Sequence, residues 1–340
     1  FGTGKKHNGG QLDSLSQAVL GASVAGVCAP AGHRRKALLA GAMLGTLPDL
    51  DVLIDYDDAV RNFTYHRGFS HSLLVLAPFS VMLWWLLRRW WAPVRESPLP
   101  WLAAICLALL THPLLDAHTA YGTQLFWPLA TPPTMWATMF IIDPAYTLPL
   151  LVGTLIAAWR PLGGWSQTTL RAGLALSTLY LGWSWVAQAT VARHVDDTLA
   201  VMQLQDAPVF ITPTPLNTLL WRIVVLTGDG YLEGFDSLLL DDDEIDFAAY
   251  ETDNAALIDA SDVWAVARLR WFSQDFLKAE VDADKLVLSD LRMGQEPYYV
   301  FAHVAATRGN PHWKAIPTEL VPFSFENRAL TGTWTRIWVQ

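Results

Sequence analysis

Charged side chains are scarce in this 340-residue chain, at 16% of residues against the roughly 25% of an ordinary soluble domain. That deficit points to lipid as the surroundings of part of the chain. Cysteine is nearly missing: two residues exclude a disulfide framework. A basic face is missing as well. Residues 1–194 hold 13 Lys+Arg against 9 Asp+Glu, and residues 195–340 hold 10 against 23, so neither half is suited to nucleic acid. No basic-then-apolar stretch ends at a small-residue cleavage site, so no signal peptide is expected. Residues 1–11 are polar, Gly-rich and patternless, and are expected to be a disordered terminus outside the fold. What is abundant is apolar, 52% of residues including 17 Trp, which excludes a disordered chain.

Six apolar segments follow: Leu12–Pro30, Ala37–Leu47 continuing to Ile54, Ser70–Leu87, Leu99–Leu115, Ile141–Trp159 and Leu170–Val191. The last four approach the ~20 residues needed to cross a hydrocarbon core of ~30 Å. The first two are shorter or more polar. Their Gly21, Ala22, Gly26, Gly41, Ala42 and Gly45 predict close helix packing, and a re-entrant or half-buried pair is open to them. Trp84–Trp85 and Trp90–Trp91 read as interfacial belt residues.

Charge supplies an orientation. If Arg34, Arg35 and Lys36 are cytoplasmic and the segments alternate, Arg88, Arg89, Arg95, Arg160 and Arg171 fall on the same side. The opposite connections, 55–69 and 116–140, contain only Arg61 and Arg67, as the positive-inside rule requires. The same threading sends Asp13, Asp49, Asp51, Asp55, Asp57, Asp58, Asp116 and Asp143 to the extracytoplasmic mouth, with His66, His71, His112 and His118. Ionisable groups at membrane depth are costly and mark functional sites. Cys28 and Cys106 lie in apolar segments away from that mouth and read as packing residues.

From about residue 193 the chain turns soluble and acidic. Trp221–Leu226, Tyr231–Leu240, Lys285–Leu291 and Tyr298–Val304 read as strands, and Asn254–Phe272 as an amphipathic helix. The run Asp241–Glu244 reads as a solvated acidic turn, since no His accompanies it. The expected fold is therefore an α-helical polytopic membrane bundle of about six helices over 12–192. A C-terminal extracytoplasmic α+β, β-rich soluble domain follows over 193–340.

Four short segments carry the chemistry, each with a plainer reading beside it. Pro48-Asp49-Leu50-Asp51 ends the second segment, where a polar helix stop would suffice. In His66-Arg67-Gly68-Phe69-Ser70-His71-Ser72, Ser70 is a candidate N-cap and Gly68 lets the chain turn so that both imidazoles face one point. His112 and Asp116, at i and i+4, share one helix face among leucines, where a lone His–Asp hydrogen bond would be an expensive decoration. Asp143-Pro144 fits an N-cap followed by Pro at the first helical position, and Asp13 before the first segment has the same simple reading. Imidazole plus carboxylate without thiolate is the ligand set of Zn, Mn or Fe in hydrolytic sites. More than three ligands with several carboxylates suits two or more ions. Arg67 beside them would anchor a phosphate or carboxylate.

These stretches resemble the YdjM-like family of membrane-bound metal-dependent hydrolases. The resemblance rests on Asp13–Ala18, Gly45–Asp51, Tyr65–Ser72 and Thr111–Asp116, extended by Tyr121–Pro128 and Ile141–Pro144, and covers about 12–192 in order. Ser16 stands where Thr is expected. It implies a bacterial inner-membrane location and a hydrolase activity. More distantly the chain is similar to zinc-dependent phospholipases C. That likeness implies Asp49, His71 or His66, His112 and Asp116 as ligands; the phospholipases' second His pair has no counterpart, so three zincs do not carry over.

The expectation is thus a membrane hydrolase with divalent ions, zinc first, held by Asp49, Asp51, His66, His71, His112 and Asp116. Asp13, Asp51, Asp143 and Arg67 are its catalytic candidates, and Arg67, Tyr121, Gln124 and His118 its substrate-binding ones. Its substrate would be an ester or phosphoester of a lipid or of another membrane-surface molecule. The competing reading is a non-enzymatic membrane metal-binding or scaffold protein whose C-terminal domain binds a partner; a closed coordination sphere would favour it. A transporter fits less well, because it would place ionisable groups near the midplane.

Overall fold

Small residues set the first contact. The structure, a computed structural model, describes residues 9–239 and 245–322, with 9–13 by backbone alone; the side chain of Asp13 and the acidic run Asp241–Glu244 lie outside the described residues. Helices α1 (Gly9–Cys28) and α2 (Arg34–Thr46) touch backbone to backbone. A Cβ on Gly21 or Gly41 would collide with the carbonyl of the other, and one on Gly45 would meet the Gln17 carbonyl, as the small-residue pattern predicts. After a short 3-10 helix at Pro48–Leu53 come α3 (Ala59–Tyr65), a 3-10 turn at Phe69–His71, α4 (Leu73–Trp90), α5 (Ala92–Glu96) and α6 (Pro98–Asp116). A long connection then leads to α7 (Pro144–Trp159) and α8 (Gly164–Val201). These last two repeat the close approach, Gly153 against the Thr169 carbonyl and Gly173 against that of Pro149.

Where six segments were expected, two helices among the described residues, α4 and α6, are long and apolar enough to cross a membrane; Ser14–Cys28 and α7 are apolar but shorter. Leu74, Val81, Met82, Trp85 and Trp90 of α4 are exposed, so the outer face of this helix has no protein cover. The basic turns share one end. Arg34 reaches Gln167 and the Gly26 carbonyl, and Arg35 donates to the carbonyls of Ala158 (2.9 Å) and Trp159 (3.2 Å). Ala29, Ala37, Val94 and Trp101 close that end in one apolar cluster. At the opposite end Ser16 bonds Thr147 at 2.7 Å and Gln17 bonds Asp116 at 2.8 Å.

The C-terminal part is β-rich. One antiparallel sheet runs in order β1 (Val209–Pro213), β2 (Leu220–Leu226), β3 (Gly230–Ser237), β4 (Phe247–Glu251). The expected amphipathic helix is two, α9 (Asn254–Asp259) and α10 (Trp264–Ser273). The break falls at Ala260–Val263, where Ser261 and Asp262 are exposed and interrupt the apolar face. A second antiparallel sheet is built from β5 (Leu277–Asp282), β6 (Lys285–Asp290), β9 (Ala302–Thr307) and β10 (Lys314–Leu320), in order β10-β9-β6-β5. The hairpin β7 (Gly294–Gln295) and β8 (Tyr298–Tyr299) lies between β6 and β9.

This domain packs on the end of the helices opposite the basic turns. Val60, Phe63 and Tyr121 enter one core with Leu269, Phe272 and Leu286. Val60 N–H donates to Thr318 Oγ1 at 2.9 Å. Helix α8 runs unbroken past residue 193, where the soluble part was expected to begin, and its Val191, Val195 and Leu199 pack on Trp221 and Ile223 of β2.

Candidate metal centre

Helix α6 delivers two ligands from one face, His112 and Asp116, because i and i+4 lie one above the other. The 3-10 turn Phe69–His71 adds His71, and the 3-10 helix Pro48–Leu53 adds Asp49. Proline at the start of the latter suits its first turn, where no N–H is needed. One ligand atom from each of Asp49, His71, His112 and Asp116 lies within 4.8 Å of all the others. His71, His112 and Asp116 are buried and Asp49 forms the half-buried edge.

Hydrogen bonds to the outer ring nitrogens decide what the inner ones offer. His112 Nδ1–H donates to the Gly45 carbonyl at 2.6 Å, so His112 Nε2 presents a lone pair. Ser70 Oγ–H donates to Asp51 Oδ2 at 2.5 Å and therefore accepts from His71 Nδ1–H at 2.9 Å, so His71 Nε2 presents a lone pair as well. These two Nε2 atoms stand 3.0 Å apart. Carboxylate oxygens complete the group: Asp116 Oδ2 at 3.1 and 3.4 Å from His71 and His112, and Asp49 Oδ1 at 3.4 Å from each. Buried Asp116 Oδ2 has no hydrogen-bond partner. Four acceptors without a donor repel one another unless a cation lies among them. A tetrahedral ion with bonds of ~2.0 Å sets its donors about 3.3 Å apart. The group fits a metal ion.

A second layer holds this group. Asp116 Oδ1 takes Gln17 Nε2 at 2.8 Å and pairs with Arg67 Nη2 at 3.3 Å. Arg67 is buried, donates to Thr119 Oγ1 at 3.0 Å, and lies over the Tyr121 ring at 5.1 Å. Its positive φ of 57° turns the chain between His66 and His71. Asp51 accepts His66 Nδ1 at 2.7 Å, Ser70 Oγ, and the Arg67 N–H at 3.1 Å. Burial opposes the Asp51 anion, and His66, its strongest partner, brings this carboxyl below its ordinary value.

The expected residues therefore divide. Asp49, His71, His112 and Asp116 come together; Asp51 and His66, expected as further ligands, are bonded to each other beside the group. Arg67 is anchored on Asp116. Tyr121 gives its hydroxyl proton to the Phe63 carbonyl at 2.6 Å, and Gln124 donates to the Thr64 carbonyl at 2.9 Å, so both brace the loop that carries Arg67. His118 is turned away: its Nδ1 donates to the Leu114 carbonyl at 2.8 Å and its ring packs against Trp136 and Trp185. Asp143 caps α7 through Ala145 N–H at 2.9 Å and accepts the Tyr180 hydroxyl at 2.7 Å. Ser70, expected as an N-cap, makes no capping bond and instead links His71 to Asp51. Sequence reading missed Gln17 and the Gly45 carbonyl. Gln17 sits one turn before Gly21 on the small-residue face of α1, where a buried amide needs a polar partner across the helix pair.

A sequence model described as YdjM inner membrane protein matches residues 12–191, more than half of the chain. The Bacillus subtilis (strain 168) protein called uncharacterized protein YfhP is 24% identical over 316 residues, 86% of this chain and 91% of that protein. The Escherichia coli (strain K12) inner membrane protein YbcI is 35% identical over 91 residues, 26% of this chain and 51% of that protein. No solved structure matches. All four candidate ligands lie inside the matched region, and the chain belongs to the YdjM inner membrane protein family.

Proposed function

We propose that this protein is a multi-pass inner-membrane hydrolase that cleaves an ester or phosphoester of a lipid or other membrane-surface molecule. The observation that carries the reading is the pair of imidazole Nε2 atoms facing each other at 3.0 Å between two carboxylates. A divalent ion held there, zinc being the first choice for a nitrogen and oxygen set and Mn or Fe the alternatives, would supply an activated water and polarise the scissile group. Asp49 is the accessible edge, so substrate approaches from its side. Beside that edge Asp51 fixes His66 Nδ1–H, which leaves His66 Nε2 to accept a proton from the attacking water and return it to the leaving group. The Arg67 guanidinium holds Asp116 in place. Clustering of the basic turns at the other end supports a cytoplasmic placement for that end. The metal group and the C-terminal domain would then be extracytoplasmic.

One observation favours a second reading. Four protein donors lie within 4.8 Å of one another, enough to fill a four-coordinate sphere as in structural metal sites, which suits a metal-holding scaffold with a partner-binding C-terminal domain. Elemental analysis of purified protein, followed by an ester and phosphodiester screen with and without chelator, separates the two. Bound metal with chelator-sensitive turnover supports the hydrolase; bound metal without turnover supports the scaffold. Protein that binds no divalent ion ends both.

A further inference from the structure

The 3-10 helix that carries Asp49 and Asp51 is inside out. Its two acids turn inward, with side chains 18% and 10% exposed. The residues around them turn outward: Leu50 is 54% exposed, Val52 69%, Leu53 74% and Ile54 53%. A run of apolar residues left open to water has no stabilising rationale in a soluble loop, and exposed apolar patches mark interaction surfaces. Phe69 continues the patch on the neighbouring 3-10 turn, its ring 5.3 Å from that of Trp127. Two features identify what covers it. The patch borders the two candidate membrane spans: the turn bearing Phe69 leads directly into α4, whose Leu74 is exposed, and Asp49 of the same 3-10 helix lies 3.4 Å from His112 of α6, two residues before exposed Leu114. It also stops abruptly at Asp55, Tyr56, Asp57 and Asp58, all outside the spans, as a segment does on leaving hydrocarbon for water.

We infer that Leu50, Val52, Leu53, Ile54, Phe69 and Trp127 form a lip immersed in the bilayer, so that the metal group opens to lipid and receives an acyl-chain-bearing substrate from within the leaflet. The chain of the substrate lies along the lip, and its polar scissile group meets the Asp49 edge, which belongs to the same turn. The substrate half of this inference rests on the hydrolase reading; the lip itself does not.

The test places nitroxide labels by L53C, V52C, V81C and D57C in a C28A/C106A background, reconstituted in phosphatidylethanolamine/phosphatidylglycerol vesicles. Labels at 52 and 53 are expected to match the one at 81 in the α4 span, open to oxygen and closed to a water-soluble nickel relaxant, with the label at 57 showing the reverse. Labels at 52 and 53 that behave like 57 would overturn the lip. So would labels shielded from both relaxants, which would mean that protein covers the patch. A V52D/L53D protein is expected to keep its metal content while losing about tenfold in turnover of a long-chain phosphodiester presented in vesicles, because the apolar contacts are gone. Undiminished turnover would overturn the acyl-chain assignment. If the parent protein turns over nothing, the hydrolase reading has failed, and the label depths still decide the lip.

Discussion

The helical region and the C-terminal domain both bury charge, and they satisfy it differently. In the C-terminal domain two buried arginines each meet a buried carboxylate. Arg292 Nε and Nη2 grip the two oxygens of Asp290 at 2.8 and 2.5 Å, and Arg222 is paired with Glu233. In the helical region four acceptors face inward: the imidazole N–H groups point away, to the Gly45 carbonyl and Ser70 Oγ, and Gln17 and Arg67 donate to the far oxygen of Asp116. The same burial penalty thus meets a self-contained ion pair in one region and, in the other, a group of acceptors that could hold an external cation. Closure of the charge balance distinguishes structural polar groups from a candidate site better than burial does.

The largest expected effect sharpens the socket. His112→Ala or Asp116→Ala should lower divalent-metal affinity by more than ~100-fold, beyond the 10–100-fold typical of second-layer changes, as read by elemental analysis after dialysis. Variants that keep full metal content would erase the contrast between the two regions. Next, Arg292→Met leaves buried Asp290 unpaired and should destabilise the C-terminal domain by about 3–5 kcal/mol in denaturant unfolding, with metal content unchanged.

A pH experiment probes the same domain. Burial pushes His303 down to about 4, only partly opposed by Asp290 and Asp58, and neither ring nitrogen has a hydrogen-bond partner. Its folded value lies below the unfolded ~6.5, so the unfolded chain takes up a proton that the folded chain refuses. Stability is therefore complete above pH ~6.5 and falls toward pH 4, by up to about 3 kcal/mol. His303→Leu should flatten that part of the unfolding profile; an unchanged slope would assign the acid sensitivity elsewhere. The smallest effect concerns the helical region: Asp143→Ala should cost about 1 kcal/mol as a lost cap and leave metal affinity unchanged. A fall in affinity would restore Asp143 to the site.

Much of the site was legible because its spacing is local. The i, i+4 pair His112/Asp116 and the Pro48–Asp51 turn declare their geometry within a few residues. The division of labour among Asp49, Asp51, His66 and His71 was not legible. All four were eligible ligands by type, and only the bonds from Asp51 to His66, Ser70 and the Arg67 amide take Asp51 and His66 out of the group. Tyr121, Gln124 and His118 looked like substrate contacts because they are polar and near the motifs in sequence. Their hydrogens go instead to the carbonyls of Phe63, Thr64 and Leu114, which no spacing rule foretells.

The sequence by itself determined that part of this chain lives with lipid, that the rest is acidic and β-rich, and that helices would meet at Gly21, Gly41 and Gly45, because composition and short-range periodicity report solvent and local shape. Tertiary structure alone decided which donors share one sphere and which way each imidazole points. Ring orientation is set by partners far away in the chain: His112 takes its tautomer from Gly45, 67 residues away. Asp116 is positioned by Gln17, 99 residues away.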